Sequence, residues 1–406
     1  MRATRRILFV DDEPRVLQGL QRLLHPMRGE WEMHFVTSGE GALALLAAQP
    51  FDVVVTDMRM PGTSGAELLD RVRRQYPQTV RIVLSGYSDH ESVLRLVGTA
   101  HQYLAKPCDS DLLRRVISRA CGLRQLLAEE RLTRLVAQMT TLPSLPELYH
   151  KVLAELQAPN GSIHTVGELV AQDVGMTAKV LQLVNSAYFG LQQPVADPVQ
   201  ATIFLGMETV RALVLAVGVF AELGRRPLAE ANLQQLWQHS MRVCALARQL
   251  ALHWGAEARF TNESMMAGML HDAGKLVLAA NFPREYGKAM AKACEQGIVI
   301  QHAEEEHFGA GHAEVGAYLM GLWGLPDPVV EALAYHHTPR RCQAMQRSPL
   351  TAVHIADAVD HAVESEGRCF AQQLDEDYLR TVGVGRTLSE WAEICTSACN
   401  PERGKA

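Results

Sequence analysis

The sequence predicts an α/β domain built on a doubly wound, parallel, five-stranded sheet, followed by an all-α helical domain. Three observations carry that prediction. Between residues 5 and 121, five short β-rich runs alternate with segments of helical period. The runs are almost wholly apolar, which suits strands covered on both faces. Beyond residue 121 no convincing strand follows, and the punctuation becomes that of helices. A chain of 406 residues is also too long for one hydrophobic core, so two or more domains are expected.

The strand runs are Arg6–Val10, Met33–Thr37, Asp52–Thr56, Arg81–Leu84 and Gln102–Ala105. Helix-period segments lie near 14–27, 39–48, 65–76, 89–98 and 109–121. Five strand–helix units of this kind make a sheet of flavodoxin type. Gly122–Met139 continues as a helix, with apolar Leu123, Leu126, Leu127, Leu132, Leu135, Val136 and Met139. It reads either as a connector or as half of a homodimer seam, and is too short for a coiled coil. Thr140–Pro146 breaks the pattern with two prolines. Helix starts follow: Ser144 with Glu147 and Thr165 with Glu168 have capping-box spacing. Asp197-Pro198 and Asp327-Pro328 put a capping residue before a proline at the first helical position. The expected division is 1–122, a sheet domain; 123–141, a connector helix; 142–365, the helical domain; and 366–406, a helical extension with a disordered tail from Asn400.

Composition narrows the function classes. Apolar residues at 48% and charged residues at 21% suit a soluble globular protein. A net charge of −6 argues against a nucleic-acid-binding surface. The N-terminal apolar run Ile7–Val10 stops at Asp11-Asp12, too short for a leader or a membrane span. A cytoplasmic protein with no membrane association is expected. The eight cysteines are scattered without a Cys-x-x-Cys pair, which fits reduced structural thiols.

Chemistry collects at the strand ends. Asp11 and Asp12 follow the first strand, Asp57 the third, Ser85 the fourth and Lys106 the fifth. Sites in open parallel sheets form outside the carboxyl ends of the strands, so these residues should converge. Packed carboxylates repel one another unless a cation lies among them, and Mg²⁺ is the natural choice. Asp57 then reads as a nucleophile toward a phosphoryl group, with Asp12 and Asp11 holding the metal. Lys106 would neutralise phosphoryl oxygens and the Ser85 hydroxyl would donate to one of them.

The segments ILFVDDE, VVVTDMRMPGTSG, RIVLSGYSD and YLAKP resemble the signature blocks of response-regulator receiver domains, in order and spacing, over about residues 5–122. The resemblance implies that Asp57 is a phospho-acceptor and that Asp12, Asp57 and the backbone carbonyl of Arg59 bind Mg²⁺. It implies that Ser85 and Tyr103 form a switch pair, and that Lys106-Pro107 is a cis peptide. A sensor histidine kinase or phosphotransfer protein is the implied partner.

Ten of the sixteen histidines fall after residue 238. Helical phase sets His239 beside Leu236, Val243, Leu246 and Leu250, and His312 beside Val315, Leu319 and Trp323. His336 and His337 follow Val329, Val330 and Leu333; Asp357 follows Leu350 and Val353; Asp272 follows Met265 and Met269. Polar groups on core faces must be paired or bind a metal. One such histidine is usually a satisfied core residue. The set, with no Lys or Arg on the same faces, points to one or two transition-metal ions such as zinc, iron, manganese or nickel.

The run Gly268–Lys275 resembles the His-Asp motif of HD-superfamily phosphohydrolases. That resemblance implies His239, His271, Asp272 and Asp357 as a minimal metal set, His312, His336 and His337 as holders of a second ion, and Lys275 as a catalytic residue. The blocks LPSLPELYHKVL, ELVAQDVGMTAKVLQLVNSAYFG and QATIFLGMETVRALVL resemble the HDOD domain, an HD-related output module regarded as regulatory. After His336-His337 comes Thr-Pro-Arg-Arg rather than a Gly-Tyr-Pro element, which speaks against cyclic di-GMP hydrolysis. Two functional readings remain. In one, phosphorylation of Asp57 controls an output domain that signals through contact with an unidentified downstream protein. In the other, it gates a metal-dependent phosphohydrolase acting on a nucleotide or cyclic dinucleotide. No helix-turn-helix with a basic face supports DNA binding.

Overall fold

The computed structural model describes residues 4–86, 99–123, 126–127, 130–139, 142–144, 146–158, 160–185, 191, 195–207, 209–211, 214, 221–222, 230–342, 345–364 and 374–399. The helix expected near 89–98, the Ser186–Gly190 block and the tail from Asn400 lie outside them.

Five strands form one parallel sheet: β1 Arg5–Val10, β2 Trp31–Val36, β3 Val53–Asp57, β4 Val80–Gly86 and β5 Gln102–Lys106, in the order β2-β1-β3-β4-β5. Helices α1 Pro14–Leu23, α2 Gly39–Ala48, α3 Gly65–Gln75 and α4 Ser110–Leu123 cover it. The strand side chains alternate between two cores, as period-2 geometry requires. Leu8, Val10 and Val54 join one core with Leu46, Leu68 and Leu69. Ile7, Phe9, Val53 and Val55 join another with Leu113 and Ile117 of α4. Burial on both faces explains the unbroken apolar runs.

The second core does not stop at the sheet domain. It runs through Leu123, Leu127, Leu132 and Val136 into the helical half. The single helix expected over Gly122–Met139 is divided: α4 ends at Leu123, and α5 spans Glu130–Gln138. Between them the Leu126 amide turns back to the Leu123 carbonyl at 3.0 Å. Burial of both Leu127 and Leu132 in one core draws the chain into that turn. A further difference is a pair of two-residue strands, β6 Pro143–Ser144 and β7 Ala221–Glu222, in parallel register. Two residues carry too little pattern to be read as strands.

The remaining elements are helical: α6 Pro146–Gln157, α7 Ile163–Val170, α8 Val174–Val184, α9 Pro198–Leu205, α10 Glu230–His253, α11 Ala258–Leu270, α12 Ala273–Asn281, α13 Pro283–Gln296, α14 Ile300–Phe308, α15 His312–Leu322, α16 Asp327–Tyr335, α17 Pro349–Glu364, α18 Glu376–Thr381 and α19 Leu388–Cys399. Asp197 caps α9 as expected, its carboxylate accepting from the Val199 amide at 2.8 Å. The Asp327-Pro328 step differs. Pro326 occupies the cap position and Asp327 lies inside the first turn, where its charge faces the helix dipole. Among the described residues no helix is long and apolar enough to cross a membrane.

A buried arginine fastens the sheet to α5. Arg81 of β4 is 0% exposed and donates to the carbonyls of Thr99 (2.7 Å) and Ala137 (2.8 Å). His101 accepts from the Arg81 amide through Nδ1, which leaves Nε2–H to donate to the same Ala137 carbonyl at 2.9 Å. Burial lowers Arg81 to about 9 and keeps His101 well below its ordinary value, so the imidazole is neutral. Replacing Arg81 with Met keeps the bulk and removes the donors. The Thr99 carbonyl then loses its charged partner, and the chain should lose about 2–4 kcal/mol of stability. A urea midpoint equal to that of the parent would contradict this reading of the clamp.

Candidate functional sites at the sheet mouth and in the helical core

At the mouth of the sheet, Asp11 is 1% exposed and Asp57, the last residue of β3, is 8% exposed. Lys106, the last residue of β5, binds both: its Nζ lies 2.7 Å from Asp11 Oδ2 and ion-pairs with Asp57 Oδ1. Burial opposes the charge on Lys106, but hydrogen bonds to Asp11 and Asp57 outweigh it and raise its pKa. The other Asp57 oxygen accepts from the Arg59 amide at 2.8 Å. Asp12 and Arg59 line a shallow groove beside this cluster with Met58, Met60 and Pro61. Lys106-Pro107 is cis. Helix α3 packs close behind the site, because a Cβ on Gly65 would stand 2.0 Å from the Asp57 carbonyl oxygen. Ser85 is fully buried and pairs in register with Ala105. Tyr103 is also fully buried, its hydroxyl donating to the Ala100 carbonyl at 3.3 Å, and burial keeps the phenol protonated.

In the helical half, the ends of several helices deliver imidazoles and carboxylates to one buried place. His239 comes from the middle of α10, His271 caps α11, and Asp272 and Lys275 open α12. His312 is the first residue of α15, His336 caps α16, His337 follows it, and Asp357 lies on α17. Helix α12 approaches α15 closely: a Cβ on Gly274 would stand 1.9 Å from the His312 carbonyl oxygen.

The imidazoles are held by one nitrogen and aimed with the other. Nδ1 of His239 meets Asp360 at 2.7 Å, Nδ1 of His271 the Gly268 carbonyl at 2.7 Å, Nδ1 of His312 Glu304 at 2.6 Å, and Nδ1 of His336 the Leu333 carbonyl at 2.8 Å. In a neutral ring each Nδ1 therefore carries the proton and each Nε2 a lone pair. Yet His239 Nε2 faces His271 Nε2 at 3.1 Å, and His312 Nε2 faces His337 Nε2 at 2.9 Å. Asp357 Oδ1 lies 3.2 Å from His239 Nε2. Asp272 straddles the two pairs, with Oδ2 3.6 Å from His239 Nε2 and Oδ1 3.2 Å from His312 Nε2. Neither oxygen of the buried Asp357 makes a hydrogen bond. Converging lone pairs and an orphaned carboxylate are donors turned toward a cation.

Three sets of donors each bring their ligand atoms within 4.8 Å of one another: His239, His271 and Asp357; His271, Asp272 and His336; and His312, His336 and His337. Without a metal, protons must separate the facing rings. Burial disfavours charge on His239, but the carboxylates of Asp357 and Asp360 beside it prevail and lift it to about 10. His312 is likewise opposed by burial and lifted to about 9, chiefly by Glu304. His271, His336 and His337 are pushed down by burial. Burial would raise Asp272, but the charges of His271 and Lys275 hold it well below the usual carboxylate range. Lys275 donates to Asp272 Oδ2 at 2.6 Å.

Sequence reasoning missed the supporting groups. Asp360 accepts from His239 and from Arg242, whose Nε lies 2.7 Å away. Glu304, fully buried, accepts from both the amide and the ring of His312. His361 Nε2 lies 3.3 Å from Asp357 Oδ1. For Asp360 and His361 a signal existed: they stand three and four residues after Asp357, on the same helical face. Glu304 lies on the preceding helix and left no periodic signal.

The chain thus joins a parallel five-stranded sheet with an acidic mouth to a helical domain with a buried His-Asp cluster. The sequence matches the response regulator receiver domain over residues 7–118 and the HDOD domain over residues 142–339. The chain therefore carries a response regulator receiver domain followed by an HDOD domain. It is similar to an uncharacterised protein of Treponema pallidum, 28% identical over 227 residues, or 55% of this chain and 44% of that one. It is also similar to the hydrogenase transcriptional regulatory protein HoxA of Cupriavidus necator, 35% identical over 193 residues, or 44% of this chain and 39% of that one. The chain thus spans less than half the length of these curated relatives. Among solved structures it is similar to the MmoQ response regulator of Methylococcus capsulatus, at 22% identity and a TM-score of 0.48, covering 62% of this chain and 98% of that one.

The Gly274 contact gives a direct check on the cluster. Gly274→Ala must push α12 from the His312 carbonyl, so we expect a loss of about 1–3 kcal/mol in urea unfolding. An unchanged midpoint would mean the two helix ends yield freely.

Proposed function

We propose that Asp57 is the phospho-acceptor of this response regulator, and that its state controls an HDOD domain that holds two transition-metal ions and hydrolyses a small phosphoester. The observation that carries the output half of this reading is the facing of the His239 and His271 Nε2 lone pairs across 3.1 Å, with the Nε2 atoms of His312 and His337 2.9 Å apart beside them. His239, His271 and Asp357 would hold one ion and His312, His336 and His337 the other, with Asp272 between them. Such ions supply Lewis acidity and an activated water for attack on phosphorus. Two divalent ions would outweigh the charges of Asp272 and Asp357, and Lys275 would add to the positive balance. The site therefore attracts an anionic substrate, a nucleotide or a cyclic dinucleotide.

At the receiver, Mg²⁺ would be held by Asp12 and Asp57, with Asp11 beside them and the Arg59 carbonyl as a further oxygen. An Asp57 oxygen forms the new P–O bond as the donor's bond to phosphorus breaks. Lys106, already on that carboxylate, neutralises the transferred oxygens, and Ser85 donates to one of them. The donor is a sensor histidine kinase or a phosphotransfer protein. A second reading, output through contact with a downstream protein, draws on the burial of the donors: His271, His312 and His336 are 0% exposed.

Four measurements test these readings. Asp57→Asn should abolish labelling by acetyl phosphate, and persistent labelling would sink the phospho-acceptor assignment. His271→Ala combined with Asp272→Ala should strip transition metal from the purified chain, as read by elemental analysis; equal metal in both proteins would defeat the metal site. A metal-replete chain that hydrolyses no nucleotide or cyclic dinucleotide would favour the contact reading. Metal uptake should also release protons. Neighbouring carboxylates lift His239 to about 10 and His312 to about 9 against the opposing effect of burial, so protons compete with metal at both rings. Metal requires their neutral forms, so protons should be released as the site fills, and affinity should weaken as pH falls. Uptake without proton release in weakly buffered solution would place the metal elsewhere.

A further inference from the structure

We infer that the receiver sets the geometry of the His312–His336–His337 position by gripping the turn between the two helices that carry it. The inference deepens the metal-site reading above and rests on it for its functional consequence. Helices α15 and α16 pack as a hairpin. His312 opens the first, His336 caps the second and His337 follows, so all three stand at one end. The joining turn stands at the other end, about 16 Å away along the eleven residues of α15.

Receiver residues hold that turn. Gln102 Nε2 donates to the Leu322 carbonyl at 3.3 Å. The Arg119 guanidinium of α4 hydrogen-bonds the Leu325 carbonyl, and its Nε lies 3.0 Å from Asp327 Oδ1. Leu123 fills the space over Gly321, where an added Cβ would meet its methyl carbons at 2.6 Å. The two carbonyls belong to the last turn of α15 and the turn beyond it, so their partners fix where the helix ends.

The same strand reaches the phosphorylation site. Gln102 is the first residue of β5 and Lys106 the last, about 13 Å apart in an extended strand. Lys106 divides its contacts between Asp11 and Asp57. A phosphoryl group on Asp57 draws Lys106 toward new oxygens and moves that end of β5. The displacement passes through Gln102 to the hairpin and is delivered at its far end, to His312, His336 and His337. The other donor set, His239, His271 and Asp357, stands on α10, α11 and α17, whereas the contacts of Gln102, Arg119 and Leu123 named above fall on α15, α16 and their joining turn. The receiver therefore adjusts one position of the pair against the other.

The test is a cobalt(II) titration of the metal-free full-length chain, with His336→Ala and His239→Ala assigning the two uptake steps. Arg119→Ala should weaken the step lost in His336→Ala by about tenfold and leave the step lost in His239→Ala within about twofold. Arg119→Lys, which keeps the charge facing Asp327, should restore part of the affinity. Gln102→Ala serves if Arg119→Ala fails to fold. Equal shifts in both steps, or none, would overturn the inference. Hydrogen exchange on the same variants needs no metal: residues 312–337 should exchange faster while 258–270 do not. Uniform or unchanged exchange would also overturn it. Should the parent chain take up no cobalt, the metal reading falls, and the exchange pattern alone decides the coupling.

Discussion

Asp272 carries its charge with 1% of its surface exposed, between two pairs of facing imidazoles. A carboxylate in that position is tolerable only while cations or charged rings surround it. The helical half is organised to meet this demand. Helices α11, α12, α15 and α16 each bring an end, rather than a flank, to the cluster. Helix ends approach closely only where side chains are small, and the Gly274 contact with the His312 carbonyl is such an approach. Lys275 answers part of the charge from inside the same helix. The four anchored Nδ1 atoms use the remaining freedom of His239, His271, His312 and His336, so that these rings keep Nε2 turned into the cluster.

The sheet mouth poses the same electrostatic demand on a smaller scale. Asp11 and Asp57 are both nearly buried, and one lysine bridges them. That lysine ends β5, the strand whose other end donates to the helical half. The two charge clusters therefore do not stand apart as sites on separate bodies. A strand and a helical hairpin lie between them, both too stiff to absorb a displacement in their interiors.

Much of this was legible in the sequence. The five strands fall within two residues of their expected ends, because strands buried on both faces read as unbroken apolar runs. His239, His312 and Asp357 were placed on core faces by helical phase alone, and all are buried. What escaped is tertiary. Glu304 reaches His312 from the helix before it, and Arg242 steadies Asp360 across two helices. The Arg81 clamp on Ala137 spans 56 residues and carries no local pattern. The break between α4 and α5 was hidden because leucines on both sides keep a helical period while the chain turns. Periodicity reports which face is buried, and it does not report where a core pulls the backbone off its axis.

The continuity of the core bears on how a signal could travel. One apolar cluster runs from Ile7 and Phe9 of the sheet, through Leu113 and Ile117 of α4, to Tyr318, Leu319 and Leu322 of α15. Halves that share a core cannot swing apart without exposing it, at a cost of about 25 cal/mol for each Å² uncovered. Small repacking is the cheaper response, and close-packed interiors pass it on rather than damp it. At a cluster where ring nitrogens already stand 2.9 Å apart, a shift of a few tenths of an ångström alters which of the rings and carboxylates meet. The site is thus built where small motions count, and the strand and hairpin that reach it are built to deliver them.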